Sequence, residues 1–240
     1  FTDYVELTFS ATKLSDETNI AFVRLLEDGT KASVPHTVKD GMVTLKVHQG
    51  GTFTVAQQTK DFSDIQADGH APYIEELTKR LIVQGKTDST FEPNSTSTRA
   101  QFAAIIARAL DLKHAGTTTF TDTKGKWFEQ DVQALFETGI IKGTSPQTFA
   151  PNAAITRQQA ALMMMRLVTY LNIDTNVNVA PATFTDFNKL SVEGKEAVVV
   201  LQKLGVFSGK EDGSFDPNGQ LTRSQMAKII YKVLELGELL

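Results

Sequence analysis

The sequence contains one four-residue element three times, and this repetition limits the folds that the chain can adopt. The copies are Thr98-Arg99-Ala100-Gln101, Thr156-Arg157-Gln158-Gln159 and Thr222-Arg223-Ser224-Gln225. A Thr followed three residues later by Gln, ahead of an apolar helical pattern, predicts a capping box, in which both side chains accept hydrogen bonds from backbone N–H groups at the helix start. The sequence therefore predicts three similar helices, each with an Arg in its first turn.

Helix capping does not explain the Arg in each copy. A helix N-terminus carries about half a positive charge, so a cation there is unfavourable by roughly a few tenths of a kcal/mol. The recurrence of Arg99, Arg157 and Arg223 at this position indicates that a negative charge lies beside them. One interpretation is a bound anion, held by free N–H groups and a bidentate Arg. The other is an Arg that bridges to a carboxylate of a neighbouring repeat.

The repetition extends beyond this element. Each copy follows Phe-[Ser/Thr]-Asp, a helical pattern, a Gly turn and Phe-x-Pro, in that order, and the turn Gly lies 14 residues before the Arg in each case, at Gly85, Gly143 and Gly209. The second helix of each unit is apolar at i, i+3, i+4, i+7 and i+8, which gives it one buried face. Since two helices cannot enclose a core, we expect a mainly α fold in which three tandem helix pairs share one core, with pseudo-threefold repetition.

The first quarter of the chain has a different pattern. Segments 5–9, 20–26, 43–47 and 52–55 mostly alternate or are β-branched, and Asp-Gly and Gly-Gly turn signals separate most of them. We predict a small antiparallel β domain at 1–60, followed by repeats at 61–115, 116–180 and 181–240. About 60 residues bury only a thin core, so this domain either packs on the helices or belongs to a larger β domain with strands upstream.

Composition excludes several functions. A net charge of −4 argues against a nucleic-acid partner, and the lack of Cys removes disulfides and Cys-based metal sites. No apolar run approaches about 20 residues, so we expect no membrane insertion. The four His residues, at positions 36, 48, 70 and 114, form no catalytic or metal-binding pattern, and segment 209–216 lacks the ligand spacing of a calcium loop. We therefore expect no enzyme activity, no cofactor and no metal.

A binding groove is the better-supported kind of site. Trp127 and Phe128 begin the predicted first helix of the middle repeat, and the Gly turns of the outer repeats carry Asp88 and Asp212. An exposed aromatic ring beside a cationic anion site suits a sugar that carries a carboxylate, because the ring contacts the apolar sugar face while Arg binds the charge. The alternative is that Trp127 belongs to the core.

These motifs together resemble the S-layer homology domain. The resemblance rests on Phe-Thr-Asp, Trp, Gly-x-x-Asp-Gly-x-Phe-x-Pro-Asn and Leu-Thr-Arg-x-Gln, and it covers residues 62–236. It implies a three-pronged helical assembly that anchors exported proteins of Gram-positive bacteria non-covalently to the cell wall. The implied partner is secondary cell-wall polysaccharide with pyruvate ketals, bound in grooves between repeats. The β-rich segment is similar to modules that often precede such repeats.

On this resemblance, the site residues divide into two groups. Arg99, Arg157 and Arg223 would bind the ketal carboxylate, while other residues would line the grooves. The expected lining residues are Trp127, Gly85, Gly143, Gly209, Asp88 and Asp212.

The chain departs from the family pattern in two ways. Gln replaces the usual Glu in all three Thr-Arg elements, which keeps the cap but removes a negative charge beside Arg. Trp occurs only in the middle repeat; His70 and Gly194 align with Phe128 in the other two. We therefore expect unequal grooves. Two alternatives stay open, namely the anchoring end of a self-assembling S-layer subunit and a carbohydrate-active enzyme.

Overall fold

The computed structural model describes residues 4–10, 20–57, 60–113, 116–178, 180 and 183–240. His114, one of the four His residues, and Pro181, the first residue of the third predicted repeat, lie outside the described residues. The strands are β1 (Val5–Ser10), β2 (Ile20–Leu25), β3 (Lys31–Ser33), β4 (His36–Lys39), β5 (Met42–Val47) and β6 (Thr52–Gln57). The helices are α1 (Ala71–Lys79), α2 (Arg99–Ala109), α3 (Glu129–Glu137), α4 (Arg157–Tyr170), α5 (Val192–Lys203) and α6 (Arg223–Leu236), with a 3₁₀ turn at Phe187–Lys189.

The strands form two antiparallel three-stranded sheets, in the orders β1-β5-β4 and β3-β2-β6. Their shared core contains Phe22 from β2 and Val43, Leu45 and Val47 from β5. All four predicted strands are present. The sequence did not predict β3 and β4, which are only three and four residues long and therefore too short for a clear alternating pattern.

The β domain packs directly on the helices through polar contacts. The Arg24 guanidinium donates two hydrogen bonds, of 2.7 and 2.6 Å, to the carboxylate of Asp111 just after α2, and both side chains are buried. Arg80 Nη1 donates to the His36 carbonyl at 2.8 Å, and the Tyr4 hydroxyl donates to the Leu110 carbonyl at 3.1 Å. Of the two expectations for this domain, packing on the helical body is therefore confirmed.

The three predicted capping boxes are all present. Thr98 Oγ1 accepts from Gln101 N at 3.2 Å, and Gln101 Oε1 accepts from Thr98 N at 3.0 Å. The same reciprocal pairs begin α4 and α6. Thr and Gln thus have the same structural role in every copy, which leaves Arg as the residue that requires a separate explanation.

One hydrophobic core is shared by all three helix pairs. The apolar faces of α2, α4 and α6 are buried in it, including Met163 and Met164, which are core residues. In each pair the Phe of Phe-[Ser/Thr]-Asp packs on the Phe of Phe-x-Pro with ring centroids 5.6 Å apart. The core therefore joins residues from the start and the middle of each repeat.

The helix pairs contact one another in a closed order. The second helix of each pair packs on the first helix of the next, so that α2 meets α3, α4 meets α5 and α6 meets α1. Backbone hydrogen bonds follow the same order. Ile155 N donates to the Ser97 carbonyl at 2.9 Å, Leu221 N to the Ile155 carbonyl at 3.2 Å, and Ser97 N to the Leu221 carbonyl at 3.1 Å. The last pair is thus bonded back to the first.

Candidate anion-binding site

Each motif Arg reaches from its own helix pair into the next pair. Its Nε donates to the carbonyl of the Phe in Phe-x-Pro, and its Nη2 donates to the carbonyl of the residue before the turn Gly. The Nε acceptors are Phe149 for Arg99 (2.9 Å), Phe215 for Arg157 (2.6 Å) and Phe91 for Arg223 (2.8 Å). The Nη2 acceptors are Lys142 (3.3 Å), Ser208 (2.8 Å) and Gln84 (2.8 Å), in the same order.

The same guanidinium groups also stack on aromatic rings. The carbon Cζ of each Arg lies 4.3 to 4.7 Å from the ring centroid of the Phe whose carbonyl it binds. Only 3 to 7% of the surface of each Arg is exposed. The arginines therefore do bridge neighbouring repeats, but the acceptors are backbone carbonyls and not the carboxylates that one interpretation of the sequence required.

The positive charge of these arginines has no ion-pair partner among the described residues. Each guanidinium uses Nε and Nη2 in hydrogen bonds, and Nη1 has no acceptor within the described part of the chain, although it is not sealed from solvent. Burial lowers the pKa of all three groups, while carboxylates farther away, such as Asp122 for Arg99, act in the opposite direction. A buried cation with an unused donor favours a nearby anion.

The similar spacing of Phe-[Ser/Thr]-Asp to Phe-x-Pro in the three repeats has a structural cause that the sequence analysis missed. The Asp64 carboxylate accepts from the N–H groups of Phe91 and Glu92 at 2.8 and 2.7 Å, and Asp122 and Asp186 do the same in their repeats. Glu92 has a φ of 59°, in the left-handed region. The carboxylate thus fixes a strained corner whose carbonyl the Arg binds.

The electrostatics of these carboxylates agree with their bonding. Desolvation acts to raise the pKa of Asp64 and Asp186, but the hydrogen bonds from two backbone N–H groups outweigh it, so that the pKa of each group lies below its ordinary value. Both carboxylates are therefore ionised at neutral pH. The signal in the sequence was the recurrence of Asp at 27 to 29 residues before Phe-x-Pro.

The turn glycines are required by close packing. A Cβ added to Gly85 or Gly143 would collide with the ring of Phe62 or Phe120 and with backbone oxygens of the turn. A Cβ on Gly209 would lie 2.7 Å from the Phe184 ring. Gly at these positions lets the turn approach the Phe ring closely, so that the carbonyl of the residue before the Gly reaches the Arg.

A cleft of about 530 Å³ lies where the third repeat meets the other two. It brings together three of the predicted site residues, Arg157, Gly209 and Asp212. Lys228 of α6 and His70 before α1 also line it, and neither was predicted as a site residue from the sequence. Lys228 could have been found, since it replaces the apolar Ala104 and Leu162 of the sister helices.

Trp127 and Asp88 lie apart from this cleft. Trp127 is 67% exposed just before α3, with its ring centroid 5.2 Å from that of the buried Phe128. It is therefore not a core residue. The Asp88 carboxylate is fully exposed and forms a 2.9 Å ion pair with Lys60.

Comparison with known proteins identifies the repeats. A sequence model of the S-layer homology domain matches residues 61–103, 119–161 and 183–227. The chain belongs to the S-layer homology domain family. Membership confirms the resemblance found in the sequence and places the chain at the cell surface, in the cell wall. S-layer homology (SLH) domains are anchoring modules for surface proteins.

Similar proteins include both S-layer proteins and enzymes. An S-layer protein from Bacillus thuringiensis subsp. finitimus is 33% identical over 80% of this chain, and an amylopullulanase from Thermoanaerobacterium thermosulfurigenes is 34% identical over 81%. An exoglucanase from Acetivibrio thermocellus is 35% identical over 75%. The chain spans only 10 to 23% of the length of these relatives.

Two further observations concern metals and membranes. In the described part of the chain, no group of three or more His, Asp or Glu residues is placed to hold a metal ion. Across the same residues, no helix combines the length and the apolar character that a bilayer crossing needs.

Proposed function

We propose that this chain is a non-enzymatic module that anchors an exported protein to the wall by binding an anionic wall polysaccharide in the grooves between its SLH repeats. The ligand class is a secondary cell-wall polysaccharide with pyruvate ketals. The observation that carries the proposal is the set of three buried arginines, Arg99, Arg157 and Arg223, which have no ion-pair partner among the described residues. Each Arg has an unused Nη1 that can donate to a ketal carboxylate.

The contacts of the arginines give each of them two roles. With Nε and Nη2 the Arg holds the Phe-x-Pro corner and the Gly turn of the next repeat, so the guanidinium needs no reorganisation to receive a ligand. With Nη1 it binds the carboxylate. The arrangement around Arg157 supports this best, because the cleft there is large enough for a sugar unit and also contains Lys228.

Trp127 is proposed to contact the sugar directly. Its exposed ring lies at the start of the middle repeat, where an apolar sugar face can stack on it. The turn residues Gly85, Gly143 and Gly209, with Asp88 and Asp212, are proposed to line the grooves. Asp212 and Gly209 already share a cleft with Arg157, which supports that part of the proposal most directly.

The repeats are proposed to be related by a pseudo-threefold axis, with boundaries at 61–115, 116–180 and 181–240. The closed order of backbone bonds through Ser97, Ile155 and Leu221 supports this arrangement. The three Arg contacts follow the same order from each repeat to the next. Such an axis would place three comparable grooves around the helical body.

A sedimentation assay tests the proposed function. The chain is mixed with native wall sacculi and with sacculi from which hydrofluoric acid has removed the secondary polysaccharide. We expect binding to the native sacculi and loss of binding to the stripped ones. Equal binding to both would contradict a polysaccharide ligand. Measured glycan turnover by the purified chain would contradict the non-enzymatic part.

Lattice contact by the β domain is a second candidate function. The chain resembles S-layer proteins over most of its length, and β1 exposes Leu7 and Phe9, each by about two fifths. Sedimentation velocity over a range of concentrations tests it. Self-association that Leu7→Ser weakens would favour the lattice role, while a monomer at all concentrations would contradict it.

A further inference from the structure

The position that carries Trp127 in the middle repeat carries Glu193 in the third. The alignment follows from the buried first-helix residues Val132 and Val198, and it also places Gly69 at this position in the first repeat. Whereas Trp127 is exposed before α3, Glu193 lies in the first turn of α5. The same aligned position therefore has an aromatic ring in one repeat and a carboxylate in another.

The Glu193 carboxylate is bound to two cations from the second repeat. Arg166 Nη2 of α4 donates to Glu193 Oε1 at 2.6 Å, and Lys142 Nζ lies 3.6 Å from the same oxygen. Lys142 immediately precedes the turn residue Gly143, and its carbonyl accepts the hydrogen bond from Arg99 Nη2. Glu193 therefore lies beside the groove formed by Arg99, this Gly turn and α4, hereafter the α4 groove.

The first turn of α5 also packs closely on the start of α4. Ser191 N donates to Gln158 Oε1 at 2.9 Å, and a Cβ on Gly194 would lie 2.9 Å from the same oxygen. Gln158 directly follows the motif residue Arg157. The corresponding residue after Arg223 is the smaller Ser224, which lines a separate cleft of about 410 Å³. The first turn of α5 therefore lies against the start of α4, beside the cations Lys142 and Arg166.

The charge balance differs between the two grooves. In the α4 groove, Lys142 and Arg166 are paired with Glu193. The α6 groove is the cleft of about 530 Å³ lined by Arg157, Gly209 and α6. In it, Lys228 has no ion pair or hydrogen bond within the described residues, while the carboxylates of Glu211 and Asp212 line the turn side of the same cleft. Hydrogen bonding from Arg166 lowers the pKa of Glu193, burial opposes it, and Lys142 adds to the lowering. Glu193 is therefore a full negative charge at neutral pH.

We propose that Glu193 is an internal counterion that closes the α4 groove to anionic ligands and so directs them to the other grooves. The carboxylate offsets one of the two positive charges of Lys142 and Arg166, occupies their donors and repels a second anion that approaches Arg99. The identity of the glycan rests on the proposed function above, whereas the closure concerns contacts within this chain. Glu193 is thus a specificity-determining residue that sets how many of three similar grooves bind.

The test uses Glu193→Gln, which removes the charge and keeps the shape, with Glu196→Gln as the matched control on the same helix. Glu196 is exposed, and no ion pair involves it among the described residues. Each protein is titrated with sodium pyruvate and with a pyruvylated wall disaccharide, and amide shifts are followed by NMR. The reporting residues are Gly143 and Arg166 for the α4 groove, and Gly209 and Lys228 for the α6 groove.

In the wild type and in Glu196→Gln we expect both ligands to shift the α6 reporters and, at the same concentrations, to shift the α4 reporters only weakly. In Glu193→Gln we expect the α4 reporters to shift as well, with pyruvate bound there about 3- to 5-fold more tightly, as the loss of one exposed like charge allows. The thermal midpoints of the two variants should agree.

Two outcomes would overturn this inference. One is that the α4 reporters of the wild type already respond as strongly as those of Glu193→Gln, and the other is that they respond in neither protein. If the disaccharide binds to no groove of any variant, the proposed glycan function fails. The pyruvate titration would still decide whether Glu193 excludes an anion from the α4 groove.

Discussion

Replacement of Arg157 by Ala tests whether the motif arginines hold the repeats together. The substitution removes two hydrogen bonds from a charged donor to the carbonyls of Phe215 and Ser208, and each such bond contributes about 1.5–3 kcal/mol. It also removes a stacking contact of 4.7 Å on the Phe215 ring, which contributes about 0.5–2 kcal/mol. Because these contacts share one side chain and are not additive, we expect a loss of about 3–5 kcal/mol.

Chemical denaturation, followed by circular dichroism, measures this loss. Arg157→Lys should give an intermediate value, since Lys keeps the charge but cannot donate from two fixed positions. Arg166→Ala is the matched control, because its ion pair with the half-exposed Glu193 contributes less than about 1 kcal/mol. If Arg157→Ala loses no more stability than Arg166→Ala, the bridging role of the motif arginines is refuted.

The carbonyl contacts of Arg157 limit what an Arg157 variant shows about ligand binding. From the sequence alone, a pure ligand role implies that Arg157→Ala weakens glycan binding and leaves unfolding nearly unchanged. The carbonyl contacts imply that both properties are lost together. Binding is therefore better tested at Lys228, which lines the same cleft without a partner among the described residues.

Three further predictions concern buried polar groups. Ser97→Ala should raise the free energy of unfolding by about 0.5–2 kcal/mol, because the Ser97 hydroxyl is buried without a hydrogen bond. The sister repeats have apolar residues at this position. A loss of stability in denaturant melts would contradict this prediction. Asp186→Asn should cost about 1–2 kcal/mol, since one amide oxygen cannot replace a carboxylate that accepts from Phe215 N and the following N–H, and a neutral effect in the same melts would count against the corner model. Desolvation lowers the pKa of buried His36 to about 3, so the unfolded chain binds this proton at a higher pH than the folded chain does. The free energy of unfolding therefore decreases as pH falls from about 6.5, by up to about 1.4 kcal/mol per pH unit. Desolvation raises the pKa of Asp131 to about 6, which acts in the opposite direction, so wild type and His36→Asn must be compared at each pH from 7 to about 4; parallel stability curves would show that His36 contributes nothing.

Local patterns allowed much of the helical body to be predicted. Capping boxes depend on residues three apart, and the buried faces of α2, α4 and α6 follow from helical periodicity, so both were visible in the sequence. The four longer strands were visible for the same reason. Met163 and Met164 are buried on the apolar face of α4, at positions where both sister helices have Ile.

The contacts between distant segments could not be predicted in the same way. The carbonyls that accept from Arg223 lie more than 130 residues earlier in the chain, and any residue type supplies a carbonyl, so the sequence carries no signal for them. The pairing of Arg24 with Asp111 joins two domains through a single charge pair among many possible ones. Glu193 was overlooked because its significance appears only when its cationic partners on α4 and the Gly turn are seen together.

Recognition of a ketal carboxylate between SLH repeats is the main feature of the proposed function. Isothermal titration calorimetry of the wild-type chain with a pyruvylated wall disaccharide, and with the same disaccharide after removal of the ketal, tests this directly. We predict saturable binding of the pyruvylated form and at least about tenfold weaker binding without the ketal, since loss of a charge-assisted hydrogen bond costs about 1.5–3 kcal/mol. Equal affinity for the two disaccharides, or no binding of either, would contradict the central claim.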